Sequence, residues 1–193
     1  MRSPDRKRQL MNQAKELFVK LGYHQTTTEK IARAAGVTEP VLYRHFTSKK
    51  ALFLAVLDDI RMATIQRWQD ETKSIADPLK RLHAIVDLWH GSTFDHAMDF
   101  HVMHRSLVET NDEDIAASLR TFYVQSEKML EDVIREGQTS GVFRKDFDAR
   151  VGAWELIRSA LGYTLTLPLG IALYQEKDYV PRAIDFALSG LKA

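Results

Sequence analysis

"IARAAGVTEPVLYRHFTSKKAL", residues 31–52, places small residues, a glycine, a proline and a Tyr-Arg-His triplet within a short span. Ala32 and Gly36 lie four residues apart across the end of one predicted helix, and Leu42 follows six residues later. That spacing suits two short helices crossing steeply. Ala32 lets the second helix approach, Gly36 supplies a positive-φ turn, and Ile31, Val37, Leu42 and Phe46 fill the small core between them. With Leu42 inward, a rotation of ~100° per residue turns Glu39, Pro40, Tyr43 and Arg44 outward. A small helix that buries one face and projects Tyr and Arg from the other fits a reader of the DNA major groove, as in a helix-turn-helix.

Outward from this stretch, helical periodicity continues in both directions with hardly any strand alternation. Leu10, Ala14, Leu17, Phe18 and Leu21 form a stripe that Gly22 closes. Thr26 and Glu29 have capping-box spacing for the second helix, and Thr38 is placed to cap the third. Ser48 or Thr47 caps a long fourth helix from about Lys49 to about Lys73, with Leu52, Val56, Ile60 and Ala63 inward. Asp77-Pro78 opens a fifth helix whose buried face is Leu79, Leu82, Val86 and Trp89. Residues 96–109 form a sixth, and a long seventh runs from Glu113 to the Gly137–Gly141 region. Asp148 caps an eighth that Pro168 bends or ends, and the last spans Tyr179 to Gly190. The expectation is an all-α chain. Residues 1–48 form an N-terminal three-helix, helix-turn-helix DNA-binding head, which a long helix joins to an α-helical ligand-binding and dimerisation body, residues 49–193.

Composition sets the class. Hydrophobic residues at 45% and charged residues at 27% of 193 describe a globular protein rather than a disordered one. The absence of cysteine excludes disulfides and thiolate metal sites. The N-terminus "MRSPDRKRQL" lacks an export-type apolar run, and no apolar stretch approaches the ~18 residues of a membrane span, so a cytoplasmic location without membrane partners is expected. The net charge of +1 conceals an asymmetry: residues 1–50 hold 11 Lys+Arg and 4 Asp+Glu, and the remainder 16 and 22. A basic head on an acidic body points to a polyanionic partner for the head.

"LFVKLGYHQTTTEKIARAAGVTEPVLYRHFTSKKALFLAVL" resembles the DNA-binding domain of the tetracycline-repressor (TetR) family over residues 8–57, through Phe18, Gly22, Tyr23, Thr26, Thr27, Ile31 and Ala32, then "AAGV", "LYRHF" and "SKKAL". The resemblance implies double-stranded DNA as a partner. By it, Thr27 holds a phosphate at the start of the second helix, Tyr43 and His45 contact phosphates, and Lys49 anchors the backbone across the groove. Thr38 and Arg44 would face base edges, Arg44 being able to grip guanine in a bidentate fork. Glu39 departs from the small or basic residue common at its position. It either accepts from a cytosine amino group or repels phosphates and narrows the choice of sites.

Beyond residue 60 the resemblance is architectural. Aromatics at helical spacing, with His104, are read either as core or as the lining of an effector pocket at Trp89, Phe100, His104, Phe122, Tyr123 and Trp154, with Arg158 either paired with Glu155 or receiving an anionic effector. Helices eight and nine are apolar on more than one side, so Ile157, Leu161, Ile184 and Leu188 are expected at a homodimer interface. His83, Asp87 and His90 fall in one stripe, with His101 and His104 one turn apart on the next helix. They are read as structural side chains, with zinc or nickel binding as the alternative, and no cofactor is expected. The implied function is a ligand-responsive, homodimeric DNA-binding regulator, a repressor released from a palindromic operator by a small molecule. A non-specific nucleic-acid-binding or architectural protein, and a metal-dependent enzyme built on His83, Asp87 and His90, are the alternatives. No nucleophile with a neighbouring base supports catalysis.

Overall fold

The computed structural model describes the backbone of residues 3–95, 97–176 and 178–192, and the side chains among them outside 3–4 and 90–97. Nine α-helices account for most of it: α1 Ser3–Gln25, α2 Thr28–Ala34, α3 Glu39–Tyr43, α4 Lys49–Thr72, α5 Pro78–Asp95, α6 Ala97–Arg105, α7 Glu113–Ser140, α8 Ala149–Thr166 and α9 Tyr179–Ser189. A 3₁₀ turn, Ser106–Glu109, continues α6, and two more lie between α8 and α9. The described residues hold no strand, only an isolated bridge between Phe143 and Lys192. None of the helices described is long and apolar enough to cross a membrane.

The chain divides into two compact units, residues 1–63 with 97–121 and residues 64–96 with 122–193. This partition differs from the division expected at residue 48, because α4 and α7 each contribute to both units and α6 belongs with the head helices.

In the first unit the basic head is assembled by short, well-satisfied ends. Leu10, Ala14 and Phe18 of α1 are buried as the stripe requires, and Gly22, at φ 78 and ψ 171, breaks the helical path. The cap of α2 is Thr27, whose Oγ1 accepts from the Lys30 amide at 3.2 Å. Thr26, given that role by capping-box spacing, is instead fully buried, its hydroxyl donating to the Gly22 carbonyl at 2.7 Å and the Leu17 carbonyl at 3.2 Å. The register differs because the Thr26 hydroxyl is turned to carbonyls of α1, and Glu29 pairs with Arg33 instead of closing the box. Thr38 precedes α3 in extended conformation but makes no side-chain cap bond. Ser48 caps α4 by accepting from Ala51.

Leu52, Val56 and Ile60 of α4 are buried, whereas Ala63 is exposed and Thr64 and Trp68 continue the buried face. Steps of four from Ile60 reach those two residues and skip Ala63, so the helical period decides the difference. Phe53 meets Phe18 edge-on at 4.7 Å and Tyr23 at 4.6 Å, fixing α4 against α1. α6 packs on α1, where Lys15 pairs with Asp99 at 2.6 Å and Arg105 donates to the Val19 carbonyl at 2.6 Å.

In the second unit Asp77 caps α5 through the amides of Leu79 and Lys80, and Asp148 caps α8 through that of Arg150. The buried face of α5 is Leu82, Ile85, Val86 and Trp89, with Leu79 only half-buried. α5 packs against α8 and α9. The buried Glu127 carboxylate is paired with Arg150, and Arg81 bridges to Glu136 at 2.7 Å.

Two stability effects follow. Thr26→Val should destabilise the fold by about 1 to 3 kcal/mol, because it orphans buried carbonyls without removing volume, which urea denaturation measures. His104 is 5% exposed, lies 5.6 Å from the Phe100 ring, and has no hydrogen-bond partner among the described residues. Burial foremost, then the neighbouring His101, lowers its pKa from 6.5 to about 4. Between those values the unfolded chain takes up a proton that the folded chain refuses, so stability falls as pH drops through this window, by up to about 3 kcal/mol. His104→Leu should flatten that slope in denaturation curves taken at pH 7, 5.5 and 4.5.

Candidate functional site

The exposed face of the head begins with how α2 ends. Gly36, at φ 65, carries a left-handed turn in which its own amide bonds the Arg33 carbonyl at 3.1 Å and the Val37 amide bonds the Ala32 carbonyl at 2.9 Å. Gln9 of α1 satisfies a further carbonyl there, Ala35. The turn delivers α3 with Leu42 fully buried and Phe46 nearly so, beside Ile31 and Ala32. Val37 is half-buried.

On the outer side, Thr38, Pro40 and Arg44 are exposed, Tyr43 is 48% exposed, and Glu39 and His45 are half-buried. Arg44 has no ion-pair partner among the described residues. Thr27 is exposed with its hydroxyl oxygen occupied as the cap of α2. Thr27, Thr38, Tyr43, Arg44 and His45 therefore flank one helix-turn-helix motif. Two side chains expected at the interface also make contacts within the head. Lys49 donates to the Tyr23 carbonyl at 2.9 Å and sits 4.3 Å from the Tyr23 ring centre, and burial there lowers its pKa. It fastens α4 to the end of α1. Glu39 accepts from the Thr28 hydroxyl at 2.5 Å. The sequence does not single out Thr28, because nothing local relates positions 28 and 39; only the crossing of α2 and α3 does.

The expected effector residues separate. Trp89, Phe122, Tyr123 and Trp154 lie together in the second unit with Trp68, which completes the cluster. Ring centres are 5.2 Å apart for Trp68–Trp89, 6.2 Å for Trp89–Phe122, 5.2 Å for Phe122–Tyr123 and 6.5 Å for Tyr123–Trp154. The Trp68 indole nitrogen and the Tyr123 hydroxyl are buried without a hydrogen-bond partner among the described residues, and burial raises the Tyr123 pKa. Trp68 was findable as the second four-residue step from Ile60. Phe100 and His104 belong to the other unit, and Arg158 is exposed and paired with Glu155 at 2.9 Å.

At the expected dimer interface, Ile157, Ile184 and Leu188 are each 1% exposed within the single chain and so belong to its core, whereas Leu161 is half-buried. Packing on α5 consumes that face. The apolar groups left outside on the same helices are Val151 and Leu165 of α8 and Phe186 of α9, the last 84% exposed.

Of the histidine stripe, His83 is held by carboxylates. His83 Nδ1 lies 3.1 Å from Asp87 and its Nε2 lies 3.5 Å from Asp185 of α9. His101 and His104 are in the first unit, and the His90 side chain lies outside the described residues. No group of three metal-ligating side chains forms among the described residues.

This architecture has close counterparts. HTH-type transcriptional activator FasR of Mycolicibacterium smegmatis is 40% identical over 83 residues, a match spanning 43% of this chain and only 38% of FasR. HTH-type transcriptional repressor KstR2 of Mycobacterium tuberculosis is 29% identical over 148 residues, 74% of this chain and 72% of that protein. A putative transcriptional regulator from Saccharomonospora viridis, solved in complex with choline, superposes with a TM-score of 0.83 at 25% identity over 97% of this chain and 95% of its own. Residues 10–56, from the α1 core stripe through the middle of α4, match the family model of bacterial regulatory proteins, tetR family. With that head on an all-helical body, the chain carries the DNA-binding segment of the tetR family of bacterial regulatory proteins and is similar to such transcription regulators.

Proposed function

We propose that the chain is a homodimeric repressor that binds a palindromic operator through two copies of α3 and leaves it when a small molecule occupies the body. The observation that carries this reading is the head itself: a five-residue helix with Leu42 buried and Tyr43 and Arg44 exposed, on a segment whose first 50 residues hold 11 Lys+Arg against 4 Asp+Glu. Thr27, Tyr43 and His45 would position the backbone, and Thr38, Glu39 and Arg44 would meet base edges. Lys49 would act by holding α4 to α1. A two-fold pair of heads would address half-sites roughly 34–36 Å apart or a multiple of that.

Repression is supported by the likeness to KstR2, a repressor; FasR, the shorter match, is an activator. Effector binding is supported by the aromatic cluster with its two unpaired polar groups, Trp68 Nε1 and Tyr123 OH, and by the choline complex of the S. viridis neighbour. Because α4 and α7 belong to both compact units, a ligand that favours one arrangement of the body would act on the heads through these helices. Dimerisation would use the outer faces of α8 and α9, with Leu165 and Phe186 at its centre, since a fully exposed Phe is costly in water.

Two measurements test the reading. Arg44→Ala should weaken binding to a selected palindromic fragment by about 1 to 3 kcal/mol and relax preference at one position per half-site, with a smaller loss on random DNA. Fluorescence anisotropy at fixed salt reads both, and equal losses on the two DNAs would remove Arg44 from base reading. Phe186→Glu should convert a dimer to a folded monomer in light scattering at micromolar concentration; a wild-type chain that is itself monomeric there would overturn the homodimer.

A further inference from the structure

Glu39 is a carboxylate in the first turn of the helix proposed to enter the groove, where phosphates favour cations. Its environment explains how it is held. The hydroxyl of Thr28, the first residue of α2, donates to Glu39 Oε1 at 2.5 Å, and the Tyr43 hydroxyl lies 3.4 Å from the same Thr28 oxygen. The three side chains join the start of α2 to both ends of α3. Glu39 Oε2 makes no hydrogen bond among the described residues, so the carboxylate is anchored at one oxygen and has acceptor capacity at the other.

An ionised carboxylate accepts and never donates, which restricts what it can meet on a base edge. Cytosine presents an amino donor in the major groove. Adenine presents its amino group beside the N7 acceptor, which repels a carboxylate, while guanine O6 and N7 and thymine O4 are acceptors. We infer that Thr28 is a positioning residue that fixes Glu39 to accept from a cytosine amino group, making the Thr28–Glu39 pair a determinant of sequence choice at one position of each half-site. This rests on the proposed DNA-binding reading and adds to it the base and the residue that orients its reader. A pair serving only to clamp α2 to α3 would instead affect stability and leave base choice alone.

The test uses the full-length chain and four proteins: wild type, Glu39→Ala, Thr28→Val and Thr28→Ser. Each is taken through selection from a random-sequence DNA library, then titrated at fixed salt against the selected fragment, its single-base variants and random DNA, with a thermal midpoint recorded. Wild type should prefer cytosine at one half-site position by at least about fivefold. Glu39→Ala should lose that preference. Thr28→Val should reduce it by about threefold or more while binding random DNA within about twofold of wild type, and Thr28→Ser, which restores the hydroxyl, should retain it. Selection by wild type without a cytosine position, an unchanged preference in Glu39→Ala, or a lowered midpoint with intact preference in Thr28→Val would each overturn the inference. Failure of wild type to select any sequence would overturn the DNA-reading proposal itself, and this inference with it.

Discussion

A helix of five residues cannot hold itself together in water: closing its first turn fixes several backbone angles for a single hydrogen bond, and α3 ends almost as soon as that cost is met. Everything proposed for the head depends on how the chain supplies the missing stabilisation. Leu42 reaches full burial beside Ile31, Ala32 and Phe46, and the left-handed turn at Gly36 bonds the carbonyls of Ala32 and Arg33 that the end of α2 would leave open. The small side chain of Ala32 is part of the same arrangement, since a larger one would hold the two helices apart. Tyr43, at the end of α3, and Arg44, its C-cap, face outward because the opposite side of the helix is core.

The same economy governs the polar groups around it. Thr26, Thr27 and Thr28 are consecutive and chemically identical, yet one is buried against α1 carbonyls, one caps α2 and one reaches across to Glu39. Each hydroxyl goes to the group that its position in space leaves unsatisfied. Lys49 and Lys50 diverge likewise: the first is held on Tyr23, the second pairs with Asp114 at 2.6 Å and Asp112 at 3.2 Å, contacts that raise its pKa. Adjacent residues on a helix point about 100° apart, so neighbours in sequence need not share a task.

The body shows the reverse pattern, with groups left unsatisfied inside. An indole N–H and a phenol buried without partners cost roughly 1 to 3 kcal/mol each, and Trp68 and Tyr123, which have none among the described residues, carry that cost within one aromatic cluster. A ligand offering hydrogen-bonding atoms to these two groups would relieve it, as the proposed effector reading requires.

The sequence by itself determined the helix order, the caps at Asp77 and Asp148, the turn at Gly36 and the small core of the head, because each rests on a local rule: a period of 3.6, a side-chain oxygen at a helix start, a residue free to take positive φ. It also turned Pro40, Tyr43 and Arg44 outward, while Glu39 is half-buried, and it grouped Trp89, Phe122, Tyr123 and Trp154 together with Phe100 and His104, which lie in the other unit. Tertiary structure alone decided the rest. Ile157, Ile184 and Leu188 carry an interface pattern but are buried within the chain, because periodicity says that a face is covered and not by what. His83 turned to Asp87 and Asp185, Lys49 to Tyr23, and Thr28 to Glu39. Such partners, apart from Asp87 one turn away, are distant in sequence, and the packing of separate helices chose them.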